Sequence, residues 1–228
     1  MIPLCGRFTL LADGMAIKKR FKIANEIVQI RPRYNIAPGE DVFTVIFDGE
    51  KRRGGYIRWG LVPFWAKDDK IGYKMINARS ETVHEKPSFK HLLTRKRCLI
   101  IADSFYEWQK TDAGRNVHRI HLQDGNLFGF AGLWDKWDKG GQPLFTCTIL
   151  TKEANEFMRP IHHRMPIIVP NHREEEWLTH PFQHPNEVHA FIQSLEDPHL
   201  TSYEVSDYVN RAGNDDPKCI EPLQHGNE

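Results

Sequence analysis

Cysteine is scarce in this chain of 228 residues: four, at positions 5, 98, 147 and 219, with no Cys-x-x-Cys spacing. That spacing argues against a disulfide framework and against a cysteine zinc site, so reduced thiols are expected. The histidines and cysteines lack ligand spacing, and no Gly-rich phosphate loop or nucleotide fingerprint occurs, so neither a metal nor a cofactor is expected. No stretch approaches the run of about 18 apolar residues that a membrane helix needs. Met1-Ile2-Pro3-Leu4 is too short for a signal peptide. A cytoplasmic protein with no membrane partner is the expectation. Net charge is also small, +1, so electrostatics spread over the whole surface would not hold the chain on nucleic acid. The basic clusters Lys18-Lys19-Arg20, Lys51-Arg52-Arg53 and Arg95-Lys96-Arg97 each read as solvated surface.

No internal repeat, low-complexity tract or Ser/Pro-rich linker divides the chain. Hydrophobic residues at 40% and charged residues at 27% put it in the ordinary globular class, and its length suits one domain over residues 1–228 and a monomer. Strand patterns dominate. Asp41 to Phe47 alternates, Asp48-Gly49 offers a turn, and Tyr56 to Trp59 completes a hairpin. The segments 98–102, 105–108, 117–122, 127–134 and 145–151 continue in that style. Helical spacing follows Asp13 and recurs over 153–158, 173–178 and 186–195. Many short strands with few helices between them predict an α+β fold: a mainly antiparallel, partly closed, barrel-like sheet with short peripheral helices.

The chemistry is concentrated in blocks. Cys5-Gly6-Arg7-Phe8 sets a thiol near the chain start. A cysteine with a free α-amine owns two nucleophiles, and that amine, with a pKa of about 7.7–8.0, is partly neutral at pH 7 and condenses with aldehydes. The thiol then closes the imine to a five-membered thiazolidine; the alternative is that Cys5 is a small buried hydrophobe. Further blocks are Arg33-Tyr34-Asn35-Ile36-Ala37-Pro38, Trp59-Gly60-Leu61-Val62-Pro63-Phe64-Trp65 and Ile76-Asn77-Ala78-Arg79-Ser80-Glu81-Thr82. Asp103-Ser104-Phe105-Tyr106-Glu107-Trp108 and Ile161-His162-His163-Arg164-Met165-Pro166 follow.

In this order, these six blocks resemble the SOS response-associated peptidase family, and Val205-Ser206, Asn210 and Ile220-Glu221 are similar to that family's C-terminal end. The resemblance implies a sensor of abasic sites in single-stranded DNA, one that joins the ring-opened sugar aldehyde to an N-terminal cysteine as a thiazolidine and shields the lesion. It implies Cys5 as nucleophile, with Asn77, Glu107 and His162 completing the catalytic set. Glu107 would shuttle protons between amine and departing hydroxyl, screened from water by Tyr106 and Trp108, and desolvation would carry its pKa toward neutral. His162 would help open the closed sugar, and Asn77 would position the amine or a sugar hydroxyl. At His163 family members commonly carry an acidic residue.

Arg7, Arg79 and Arg164, next to these blocks, are candidates for phosphate contacts. Trp59, Phe64 and Trp65 beside Pro63 offer a stacking surface worth ~1–3 kcal/mol per base, with at least one of the three expected in the core. Pro38 is the remaining DNA-facing candidate. A cysteine peptidase or amidase using Cys5, His162 and Asn77 is the rival reading, and a non-catalytic single-strand-binding module a third. Family members begin Met-Cys, whereas Met1–Leu4 stand before Cys5 here and turn its nitrogen into an amide that cannot form an imine. A start assigned too early is the favoured explanation, because leucine codons can initiate translation as methionine; self-cleavage comes second and loss of capture third.

Overall fold

The computed structural model describes residues 6–27, 29–139 and 141–224. Among the described residues, thirteen strands and three short α-helices follow one another. The strands are β1 (Phe8–Leu10), β2 (Arg33–Ile36), β3 (Asp41–Phe47), β4 (Arg52–Trp59), β5 (Asn77–Arg79), β6 (Arg97–Ala102) and β7 (Ser104–Thr111), then β8 (Gly114–Leu122), β9 (Phe128–Trp137), β10 (Leu144–Glu153), β11 (Arg164–Pro166), β12 (Ile168–Val169) and β13 (Leu200–Val205). Helix α1 (Gly14–Arg20) lies between β1 and β2; α2 (Glu174–Thr179) and α3 (Pro185–Gln193) lie between β12 and β13.

Two sheets share one hydrophobic core. The first is antiparallel, in the order β13-β8-β7-β1-β2. The second runs β10-β4-β3-β6-β9, and a β9–β10 ladder from Leu144↔Trp137 to Ile149↔Gly132 closes it into a ring. The β10–β4 contact is parallel, so the ring is not wholly antiparallel. Where β9 and β10 part, β11 pairs with the end of β10 and β12 with the start of β9, so residues 164–169 fill the gap. Phe8, Phe105 and Ile120 from the first sheet and Val45, Leu99 and Phe130 from the second belong to the same core cluster. The α+β, mainly antiparallel, partly closed architecture read from the sequence is the one present.

Local chemistry accounts for the elements. Asp13 caps α1 by accepting from Ala16 N–H at 2.8 Å, satisfying a donor the first helical turn leaves free. The Asp48 carboxylate accepts from the N–H groups of Glu50 and Lys51, and Gly49 takes φ +105°, which closes the β3–β4 hairpin. The helix expected over 153–158 does not form. Glu153 ends β10, and the following residues make isolated turns in which Asn155 accepts from Met158 N–H. Pro160 lacks the donor a helix would need there. Gly60 is required by space as well as by its φ of +127°: a Cβ there would come within 2.8 Å of the Gly72 carbonyl oxygen. This approach lays the segment 69–76 against the end of β4 and delivers the chain to β5.

Candidate active site

Strand β7 carries a deeply buried acid, Glu107. Its pairing with β1 (Phe8↔Phe105, Thr9↔Ser104), extended by the 3.0 Å bond from Tyr106 N–H to the Arg7 carbonyl, sets Gly6 opposite Glu107. Strand alternation sends Tyr106 and Trp108 to one face, where they pack with Val117, Val205, Val209 and Cys219. Phe105 and Glu107 take the other face, and Glu107 is 2% exposed. The expectation that Tyr106 and Trp108 screen Glu107 is therefore wrong in its geometry: Glu107 is buried on the side they do not occupy. Cys5 lies outside the described residues. The other three cysteines are buried free thiols whose pKa values burial pushes up, so none of them offers a ready thiolate.

Asn77 opens β5, which runs parallel to β10 with Ile149↔Asn77 and Thr151↔Arg79 in register. The Ile76 carbonyl just before it accepts from Ile149 N–H at 3.0 Å and from the Trp59 indole N–H at 2.9 Å. Asn77 is half-buried and Arg79 exposed. His162 sits at the end of the turn that follows β10. Gln109 shares a strand face with Glu107, and its amide donates to the Pro160 carbonyl at 3.0 Å, two residues before His162. The turn that carries His162 is thus joined to the strand that carries Glu107. The Oε1 of the same amide meets His118 Nε2 at 3.0 Å.

His162 is half-buried, with Nδ1 3.1 Å from the Arg164 amide nitrogen and 3.2 Å from the Arg164 carbonyl oxygen. Burial pulls its pKa below the ordinary histidine value, against the Arg164 backbone contact and with help from the charges of His163 and Arg164. At pH 7 the imidazole is neutral and can accept a proton. His163 is exposed and its ring packs on His162 at 4.4 Å.

The residues offered for DNA contact divide. Phe64 and Trp65 are exposed by 54% and 44% on the loop after β4, and Arg79 is exposed. Pro38 is half-buried in the β2–β3 turn. Trp59 is not a stacking surface: it is wholly buried, 5.2 Å from the Phe8 ring, and braces the Ile76 carbonyl. Arg164 is also committed. It makes a bidentate pair with Glu81 at 2.7 and 2.9 Å and donates to Thr151 O at 2.9 Å, leaving its side chain 9% exposed and without access to a strand passing over the surface. Arg7 donates to Asn35 Oδ1 at 2.9 Å and to the carbonyls of Val209 and Asn210 at 2.8 and 3.3 Å, so much of its donor capacity is spent on the C-terminal segment.

Three residues without an assignment from sequence are built into the site's frame. Asn35 is wholly buried, and its amide reaches the carbonyls of Val209, Arg211 and Asn214. Gln109 joins β7 to the His162 turn. Asp135, 1% exposed on β9, holds the loop of Phe64. Asp135 had a sequence signal: a carboxylate between Trp134 and Lys136-Trp137 in a strand that is apolar up to that point. Among the described residues no three His, Cys, Asp or Glu side chains are arranged to hold a metal, and no helix is long and apolar enough to cross a membrane.

A family model described as SOS response associated peptidase matches residues 4–212. Over 222 residues the chain is 46% identical to the abasic site processing protein YoqW of Bacillus subtilis (strain 168), covering 96% of this chain and 99% of that protein. It is 36% identical over 195 residues to the abasic site processing protein HMCES of Gallus gallus, covering 75% of this chain and 57% of that protein. Its fold is that of a solved protein from Bacteroides thetaiotaomicron, with TM-score 0.85 and 24% identity over 96% of this chain and 100% of the other.

Proposed function

Because the chain belongs to the SOS response associated peptidase family, we propose that it processes abasic sites by capturing the sugar aldehyde in single-stranded DNA on Cys5. The observation that carries this reading is the burial of Glu107 across the strand pair from Gly6, the residue peptide-bonded to Cys5. A carboxylate held there meets the needs of imine chemistry. The Cys5 amine adds to the aldehyde carbon, and its surplus proton must leave while the resulting hydroxyl departs as water. One carboxyl can take the first proton and give the second. The thiol sulfur then adds to the imine carbon, its proton ends on nitrogen, and the thiazolidine is complete without oxidant or metal. The neutral imidazole of His162 suits the earlier step, taking a proton as the closed sugar opens. Asn77 supplies a donor and an acceptor for the sugar or the amine. Phe64 and Trp65 offer faces to bases next to the lesion, and Arg79 a charge to phosphate.

Thiazolidine formation requires amine and thiol on one residue, so the active form begins at Cys5. Two versions of the chain test the proposal: one starting Met-Cys5, whose Met is removed, and one that keeps residues 1–4 with Leu4 replaced to resist processing. Incubated with abasic single-stranded DNA, the first gives a heat-stable adduct by intact mass and the second none. Equal adduct from protein shown by mass to retain Met1 overturns the mechanism, and turnover of a peptide without any DNA adduct points to the hydrolase instead.

A further inference from the structure

The loop after β4 combines a tightly held backbone with bare rings. Val62 N–H donates to the buried Thr146 hydroxyl at 2.8 Å, and Phe64 N–H donates to Asp135 Oδ2 at 3.1 Å. Lys139 reaches the Trp65 carbonyl, and the Trp137 indole the Ala66 carbonyl, both at 2.9 Å. His91 meets the Phe64 ring edge-on at 5.3 Å. Asp135 is the centre of this frame. Its Oδ1 accepts from Lys96 Nζ at 2.6 Å and from Lys136 N–H at 2.9 Å, while Lys96 lies 5.2 Å from the Trp134 ring centre. A buried carboxylate of this kind is costly unless each oxygen is used, and here each is.

Folding gives no reason for two large aromatic faces to stay in solvent on so fixed a loop. Binding gives one, because a platform ordered in advance loses less freedom when a base stacks on it. We infer that Asp135 is a positioning residue for DNA: through the Phe64 amide it fixes the Phe64-Trp65 pair in the orientation that receives bases beside the lesion. The inference rests on the proposed binding of single-stranded DNA, but not on the crosslink.

Asp135→Asn is the decisive change. It preserves shape and leaves no cavity, yet an amide has a single acceptor oxygen: it can serve Phe64 N–H or the Lys96 and Lys136 donors, never both. Lys139→Ala, at the exposed end of the same loop, frees the Trp65 carbonyl without touching the interior. Two oligonucleotides are compared. One has an abasic site flanked by ordinary bases; the other has the same phosphates but tetrahydrofuran residues, which carry neither base nor aldehyde, on both sides. Losing one stacked base corresponds to a fall in affinity of about 5- to 150-fold. Asp135→Asn is expected to raise the half-saturating concentration about tenfold, and Lys139→Ala about threefold, on the base-bearing strand only. The limiting rate of capture stays unchanged.

Equal weakening on both strands would assign Asp135 to general stability and overturn the inference. So would no weakening on either, or a parent protein that fails to tell the two strands apart. Should Asp135→Asn not fold, Lys139→Ala decides alone by the same comparison. Fluorescence anisotropy of Cys5→Ala forms on unreactive tetrahydrofuran-containing strands, with and without neighbouring bases, repeats the comparison with no crosslinking step. Failure of the capture chemistry would then leave this binding difference intact, whereas failure of the inference would remove it.

Discussion

At the scale of single residues, the same side-chain type serves opposite ends according to where the strand pleat points it. Glu107, Tyr106 and Trp108 are neighbours in sequence, but alternation puts the acid on one face and the two rings in a separate cluster on the other. The Tyr106 hydroxyl donates to the Tyr34 carbonyl at 2.8 Å and the Trp108 indole to Asn210 Oδ1 at 2.8 Å, so both rings serve architecture. Glu107 is the residue of this strand to which the proposal gives a chemical role. Glu107→Gln keeps the shape and the hydrogen-bonding reach but cannot exchange a proton. Capture is expected to slow by about 10²–10⁴-fold, the usual contribution of a general acid-base group. Reversal of the adduct should slow as well, since it passes through the same transfers. The rate of adduct formation on abasic single-stranded DNA at neutral pH checks this, and an unchanged rate removes Glu107 from the mechanism.

At the scale of elements, β10 organises the site because it pairs with four other strands. Along its length it pairs with β4 and then β5, and over the same residues with β9 and then β11, so Asn77 and the turn to His162 are both anchored to one strand. Arg164 locks this junction. Burial alone would raise the Glu81 carboxyl pKa, yet the hydrogen bonds and charge of Arg164, together with backbone hydrogen bonds, outweigh it and hold the pKa below the ordinary range. Arg79, two residues earlier than Glu81, is exposed and free to meet solvent-borne charge. The two arginines therefore part company on mutation. Arg164→Ala is expected to cost about 2–4 kcal/mol of stability, because it strands a partly buried carboxylate, and to leave the salt dependence of DNA binding unchanged. Arg79→Ala should leave the melting temperature alone and reduce the salt slope by about 0.7, one phosphate's share on a single strand. Thermal unfolding and binding at graded salt separate them, and a shared salt effect would return Arg164 to the DNA-facing surface.

At the scale of the whole molecule, the segment 207–220 is tied back to Arg7 and β2. Residues 207–220 form two short 3₁₀ turns, Asp207–Asn210 and Pro217–Ile220, and the stretch is held against β1 and β2. Asn35 reaches three of its carbonyls, Arg7 two, and Asp215 accepts from the N–H groups of Tyr34 and Asn35 at 2.5 and 2.9 Å. Sheet edges otherwise invite pairing with other chains, and this C-terminal strap covers the open edge of β2. Asn35→Ala would leave buried carbonyls and the Arg7 guanidinium short of partners, at a cost of about 2–4 kcal/mol. Urea unfolding would register the loss, and limited proteolysis would cut first within residues 207–220. Unchanged stability with an uncut strap would show that Asn35 is not the clamp.

Local information was enough for much of this protein. Alternation and turn residues marked β3 with its hairpin, the Asp13 cap and most later strands, because these depend on neighbours in sequence and on which side of a strand is apolar. The ordered blocks also marked the family, since the side chains required by the chemistry stand in the primary sequence whatever the fold. Direction and burial were decided elsewhere. That Trp59 lies in the core while Phe64 and Trp65 stay bare depends on the approach of Gly60 to Gly72, a contact across twelve residues. That Arg7 and Arg164 serve carbonyls and Glu81 depends on partners up to 203 residues away. An arginine beside a motif looks the same in sequence whether its charge will be met by a phosphate or by the protein itself. Only the packed chain supplies the competing partner, and burial makes that partner win because a guanidinium removed from water must be satisfied where it stands.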